Sequence, residues 1–144
     1  LVDQFRLTTP RIALAGLNPH AGDQGLFGDE EERVLRPAIE RLRSRDIAVT
    51  GPYSPDTVFH QAATGGHDLV LAGYHDQGLI PFKMVHFTDG VNVTLGLPRP
   101  RTSPDHGPAY DIAGRGVADP TSTLRAIEMA CELAGSPLPG AAPG

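Results

Sequence analysis

Two histidines stand directly after runs that read as strands: His20 in GLNPHAGDQG and His75 in GYHDQG. Neutral imidazole is a common ligand for zinc and other divalent cations, and residues far apart in sequence can converge where neighbouring strands end. Asp76 follows His75, and Asp56 lies in the SPDT turn. Either carboxylate could add a ligand or orient an imidazole from behind. For Asp56, helix capping within Ser-Pro-Asp-Thr is an equally good account. Lys83, Asn92 and Arg101 offer two cations and an amide, a set suited to phosphate or carboxylate oxygens. Lys83 lies between Phe82 and Met84, Arg101 between Pro100 and Thr102, and Asn92 interrupts the apolar run VNVTLGL. A buried amide there would need a partner. His60 and His67 read as surface residues flanking a glycine-containing turn, and His86 as packing beside Phe87; none of the three is given a role.

Several short elements must position these groups. RIALAGLN (11–18) suits a strand buried on both faces of a parallel sheet. A glycine-rich loop, Pro19 to Gly28, follows, and Asp29 to Glu32 place negative charge at a helix start. That helix is expected to run to about Arg45 with Val34, Leu35, Ile39 and Leu42 as its apolar stripe and a bend at Pro37. Further strands are expected at 48–54, 68–73 and 91–97, with a turn or helical stretch at 56–63 and a short helix or turn in 74–84. A long loop then leads to a closing helix, Pro120 to Leu133, with Leu124, Ile127, Ala130 and Cys131 at helical spacing. This alternation argues for a layered α/β domain, in which ligands gather beyond the carboxyl ends of strands. There is no internal repeat, P-loop or GxGxxG.

With 144 residues, the chain has room for one domain-sized portion, expected over 1–135, with GSPLPGAAPG at its end as a disordered tail. It opens on Leu1 rather than Met and is expected to lack an amino-terminal half. A formal net charge of -5 with dispersed Lys and Arg argues against nucleic-acid and anionic-membrane partners. The lone Cys131 excludes an intramolecular disulfide and reads as a small buried thiol. No apolar run approaches the roughly 20 residues of a membrane span, so the chain is expected to be soluble and cytoplasmic.

Three stretches carry a resemblance: GLNPHAG, GYHDQG followed by Lys83 eight residues after His75, and GVNVTLGLPRPRTSPDHG. In this order and spacing the chain resembles the 4-hydroxythreonine-4-phosphate dehydrogenase family over nearly everything from Arg11 to Ala134. The later stretch DHGPAYDIAGRGVADPTSTLRAIEMA is similar to the adenosine-binding loop and helix of isopropylmalate and isocitrate dehydrogenases. The resemblance implies the isopropylmalate dehydrogenase-like α/β/α fold, a homodimer sharing its active site between subunits, NAD, and a divalent metal, zinc foremost, with magnesium, cobalt and manganese as alternatives. It carries His20 and His75 over as two of three metal-binding histidines, and Lys83, Asn92 and Arg101 as substrate-binding residues. Asp56 and Asp76 become carboxylates near the metal, with Lys83 also acting in the chemistry, and His106 and Asp111 become neighbours of the adenosine.

The activity implied is oxidation and decarboxylation of 4-phosphooxy-L-threonine to 3-amino-2-oxopropyl phosphate in pyridoxal 5'-phosphate biosynthesis, with the isolated chain inactive. At PRPR (98–101) and Pro108 the chain departs from the family's usual residues. Relatives acting on threonate or erythronate 4-phosphate, or on a dihydrodiol dicarboxylate, share most of these motifs. A noncatalytic dimerisation or nucleotide-binding piece and a metal-dependent phosphohydrolase are the readings from other classes.

Overall fold

The computed structural model describes residues 1–135, so the expected tail at 136–144 lies outside the described residues. Within that portion the chain falls into two compact units, one of Leu7–Pro81 with Val2, the other running from Phe82 onward with Leu1 and Asp3–Arg6. The short helix α1 (Val2–Phe5), which the sequence did not announce, opens the chain.

The first unit is a three-stranded parallel sheet. β1 (Ile12–Ala15) lies centrally, flanked by β2 (Val49–Tyr53) and β3 (Leu69–Leu71), with Ile12 opposite both Val49 and Leu69. Ala13 and Ala15 are buried while Ile12 and Leu14 are only half-buried, so β1 hides one face, not the two expected. The pleat turns alternate residues to opposite sides, and the small alanines let α3 (Val58–Ala63) bring Val58 into the same cluster, edged by Tyr53, Phe59 and Val70. At the amino ends of the strands, Arg11 grips Asp68 with Nε at 3.1 Å and Nη2 at 2.7 Å, and the Arg11 backbone N–H adds a third bond. The Arg11 side-chain hydrogen bonds, with its backbone N–H, hold the Asp68 carboxyl down at about 2.

The helix expected from Asp29 to Arg45 is two pieces. A π-helical turn, Glu31–Leu35, leads into α2 (Arg36–Arg43). Pro37 has no N–H to give and its ring crowds the carbonyl one turn back, so an extra residue is taken up just before it instead of a simple bend. Of the expected stripe only Ile39 is buried, and Val34 is exposed.

α4 (His75–Val85) begins at the histidine itself and carries Pro81 inside, and the boundary between the units falls within it. In the second unit β4 (Val91–Thr94) pairs antiparallel with β5 (Arg101–Pro104), Asn92 facing Ser103 and Thr94 facing Arg101. RTSP has neither alternation nor apolar residues, so the expected long loop concealed a strand. α5 (Thr121–Ala134) packs on this ribbon, with Gly135 closing it in the left-handed conformation. Its buried face is Ser122 and Ala126, whereas the expected stripe residues Leu124 and Ile127 are exposed and Cys131 is half-buried. The reason is polar. Ser122 Oγ donates to Gly90 O at 2.7 Å and accepts from Asp105 N–H at 3.0 Å, and Thr102 Oγ1 donates to Ala126 O at 2.7 Å. Among the described residues no helix is long and apolar enough to cross a membrane.

Candidate functional site at the carboxyl ends of the parallel strands

The order β2-β1-β3 means that the chain leaves β1 to one side for β2 and returns past it for β3. In open parallel sheets, ligands bind at the carboxyl ends where connections diverge in this way, here between β1 and β3. His20 follows β1 by five residues, His75 follows β3 by four, and Asp56 follows β2 by three.

The segment bearing His20 is unusual in hand. His20, Ala21, Gly22, Asp23 and Gln24 all have φ between 42° and 86°, a left-handed turn of five residues of which four are not glycine. Left-handed backbone costs an L residue about 1–2 kcal/mol, so the surroundings must hold it. The entry to the turn is held by a carboxylate, one of the four acidic residues expected at a helix start. Glu31 is 1% exposed, and its Oε1 accepts the N–H groups of Leu17 at 2.7 Å and Asn18 at 2.8 Å. Its Oε2 accepts Asn18 Nδ2 at 2.9 Å, and Glu30 takes the other amide hydrogen. Burial alone would push the Glu31 carboxyl up, but the donors on Asn18 and Leu17 outweigh it and hold it below its ordinary value. Gly22 (φ 86°) is required twice over, because a Cβ there would stand 2.8 Å from Glu31 Oε2 and 3.0 Å from Gly28 O.

A second missed residue is Gln77, in the same GYHDQG run as His75. It is 7% exposed, donates through Nε2 to Gly16 O at 2.6 Å and accepts Gly73 N–H at Oε1 at 2.7 Å. One amide thus ties the exit of β1 to that of β3. Its sequence signal was faint, since a glutamine between an aspartate and a glycine looks like surface polarity until the fold buries it.

The imidazoles of His20 and His75 are exposed and, among the described residues, make no hydrogen bond, unlike those of His86 with Asp89 and His106 with Gly107 O. His20 has only Phe27 beside it, with ring centroids 6.0 Å apart. Asp76 is exposed; Asp56 accepts Ser54 Oγ at 2.6 Å but does not cap α3, whose N-cap is Thr57 without a side-chain cap bond. Two uncommitted imidazoles are the right donors for a zinc-like cation. Among the described residues, however, no three His, Cys, Asp or Glu gather closely enough to hold a metal ion. Neither aspartate therefore closes a ligand set with the two histidines, and a full centre needs donors from beyond these residues.

The remaining candidates belong to the second unit. Lys83 Nζ lies 3.4 Å from Asp105 Oδ2, and Arg101 Nη1 donates to Thr94 Oγ1 at 2.9 Å. Asn92 is exposed, so the premise that its amide is buried and needs a partner was wrong: in a two-stranded ribbon one face of β4 stays open. A cavity of about 420 Å³ is lined by residues that include His106, Gly107, Pro108, Ile112, Asp119 and Ser122; Asp111 is not in its wall. His86 packs against Phe82 with centroids 5.9 Å apart, not against Phe87, and His67 is half-buried beside Tyr53.

Fold and site together define an α/β protein whose polar groups collect beyond the ends of a parallel sheet. A family model described as "Pyridoxal phosphate biosynthetic protein PdxA" matches residues 1–130, and the chain belongs to that family. It is 60% identical over 130 residues to a 4-hydroxythreonine-4-phosphate dehydrogenase of Desulforapulum autotrophicum, covering 90% of this chain and 38% of the relative. It is 55% identical over 127 residues to a D-threonate 4-phosphate dehydrogenase of Pectobacterium atrosepticum, covering 88% and 39%. Among solved structures, a 4-hydroxythreonine-4-phosphate dehydrogenase from Klebsiella pneumoniae superposes with a TM-score of 0.80 at 55% identity, over 89% of this chain and 39% of that one. The chain thus spans about two fifths of the length of the relatives it matches.

Proposed function

We propose that this chain is the portion of a cytoplasmic, NAD-linked dehydrogenase that supplies two metal-binding histidines and the substrate-gripping cations. The reaction would oxidise the secondary hydroxyl of 4-phosphooxy-L-threonine to a ketone, with hydride passing to NAD and the hydroxyl proton released. Loss of carbon dioxide from the resulting β-keto acid would follow. The observation that carries the reading is the placement of His20 and His75 after neighbouring strands at the β1/β3 switch point, both free of other hydrogen bonds among the described residues.

His20 and His75 would hold a divalent cation, zinc foremost, which when bound lowers the pKa of a substrate hydroxyl and draws electron density from a carbonyl. Lys83, already beside a carboxylate, is a mobile point charge suited to gripping an anionic oxygen or countering charge that develops on it. Arg101 brings a planar fork for phosphate or carboxylate, and Asn92 an exposed amide for a neighbouring oxygen. The cavity beside His106 is of a size and character for an adenosine moiety, with Asp111 near its rim in sequence. A homodimer sharing its site would bring donors that this chain lacks.

The test joins the chain to an amino-terminal half at the length of its relatives and follows NADH formation. We expect turnover with phosphorylated threonine that needs added divalent metal and is lost in His20→Ala and His75→Ala. Metal-independent turnover, or unchanged rates in both variants, would overturn the ligand reading. The relative that acts on D-threonate 4-phosphate supports a second reading with the same chemistry. A preference for threonate or erythronate 4-phosphate in the same assay would select it.

A further inference from the structure

The two candidate ligands lie beyond the strands, in a glycine-rich turn and at the first residue of a helix, yet a metal site needs both imidazoles held in register. Resting on the ligand reading above, we propose that Gln77 is a positioning residue whose carboxamide fixes the two histidine-bearing strand exits relative to one another. Both arms of the amide are used across the sheet. Nε2 reaches 61 residues back to Gly16 O, the residue that follows β1, and Oε1 takes the N–H of Gly73, two residues before His75. Side chains and backbone crowd both glycines that the amide bonds. A Cβ on Gly16 would stand 3.0 Å from Ala21 Cα and 3.1 Å from Glu31 Oε1, and one on Gly73 would collide with the Leu17 side chain.

The buried amide spans the gap between the two exits. From Gly16 the constraint passes to Leu17 and Asn18, which Glu31 clamps, and so to the turn that presents His20. From Gly73 it passes directly into the start of α4. No hydroxyl or shorter amide could reach both partners, and a carboxylate could accept from Gly73 but not donate to Gly16 O.

The experiment uses the 144-residue chain with Cu²⁺ alone as probe, read by electron paramagnetic resonance, which counts coordinated imidazoles. Wild type is expected to show two, and His20→Ala or His75→Ala one. Gln77→Met, close in shape but without hydrogen bonds, is expected to lose the two-imidazole signal and to bind Cu²⁺ about tenfold or more weakly, while its circular dichroism stays native. Should that variant unfold, Gln77→Glu, which keeps the Gly73 bond, is expected to show the same spectroscopic loss. A two-imidazole signal with unchanged affinity in a folded Gln77 variant would sink the positioning role and leave the ligand reading standing. A single imidazole in wild type would instead sink the ligand reading, and the role of Gln77 with it.

Discussion

The two units bury different things. In the parallel-sheet unit the inaccessible residues are aliphatic ones from every layer, Ala13, Ala15, Ile39, Val49 and Val58, with Glu31 and Gln77 among them as fully bonded polar groups. In the ribbon-and-helix unit the buried side chains among the described residues are those of Ala126 and Ser122, while Met84, Val85, Phe87, Tyr110 and Val117 are each at least 65% exposed. One unit is held by apolar packing reinforced at the carboxyl edge of its sheet by polar braces; the other depends on a few side-chain to backbone bonds. Polar groups in the first thus act as fixtures of the strand exits, and in the second as the main fasteners of the fold.

The sharpest way to break this contrast is Glu31→Ala. It leaves the part-buried N–H groups of Leu17 and Asn18 without that partner, and should cost about 3 kcal/mol in a urea titration. A loss under about 1 kcal/mol would mean that the carboxylate is not the fixture described. Val58→Ala should cost about 2–3 kcal/mol, whereas Ile127→Ala on the exposed stripe should stay within about 0.5 kcal/mol. Equal costs at the two positions would erase the difference between the units. Ser122→Ala, which removes one donor and one acceptor from the second unit, should cost about 2 kcal/mol despite deleting a single oxygen.

Smallest is a pH effect confined to the first unit. The Asp68 carboxyl is depressed to about 2 in the folded chain, so its contribution is fully present above the ordinary carboxylate value near 4 and fades as pH falls towards 2. Asp68→Asn should flatten the acid limb of stability in that window, and a superimposable limb would show the fork with Arg11 to be inert.

Much of the layout was legible in the amino-acid order. Short apolar runs closed by turn formers located β1, β2, β3 and β4, and the alternation with helical stretches gave the layered class. The candidate histidines stand out in the sequence because they directly follow such runs. What escaped is instructive residue by residue. β5 consists of Arg, Thr, Ser and Pro and owes its existence to the partner strand rather than to its own pattern. Asn92 was misjudged because an apolar run does not say whether both faces of its sheet are covered. Glu31 and Gln77 look like surface residues in any local window; only the convergence of segments 13 or more residues away turns them into interior braces. The stripe on α5 was read a face away, because serine and alanine give less signal than leucine and isoleucine even where they make the contact.

The turn from His20 to Gln24 carries one more consequence. Its four non-glycine residues sit on the mirror-image side of conformational space, so the chirality of the chain itself pulls against the shape at successive positions. Backbone bonds hold both of its ends, from Ala21 N–H to Asn18 O at 3.1 Å and from Phe27 N–H to Gly22 O at 3.1 Å. Take away the Glu31 carboxylate, which fixes Leu17 and Asn18 just before the turn, and its backbone bonds are left to oppose a return to the ordinary hand that would carry the imidazole with it.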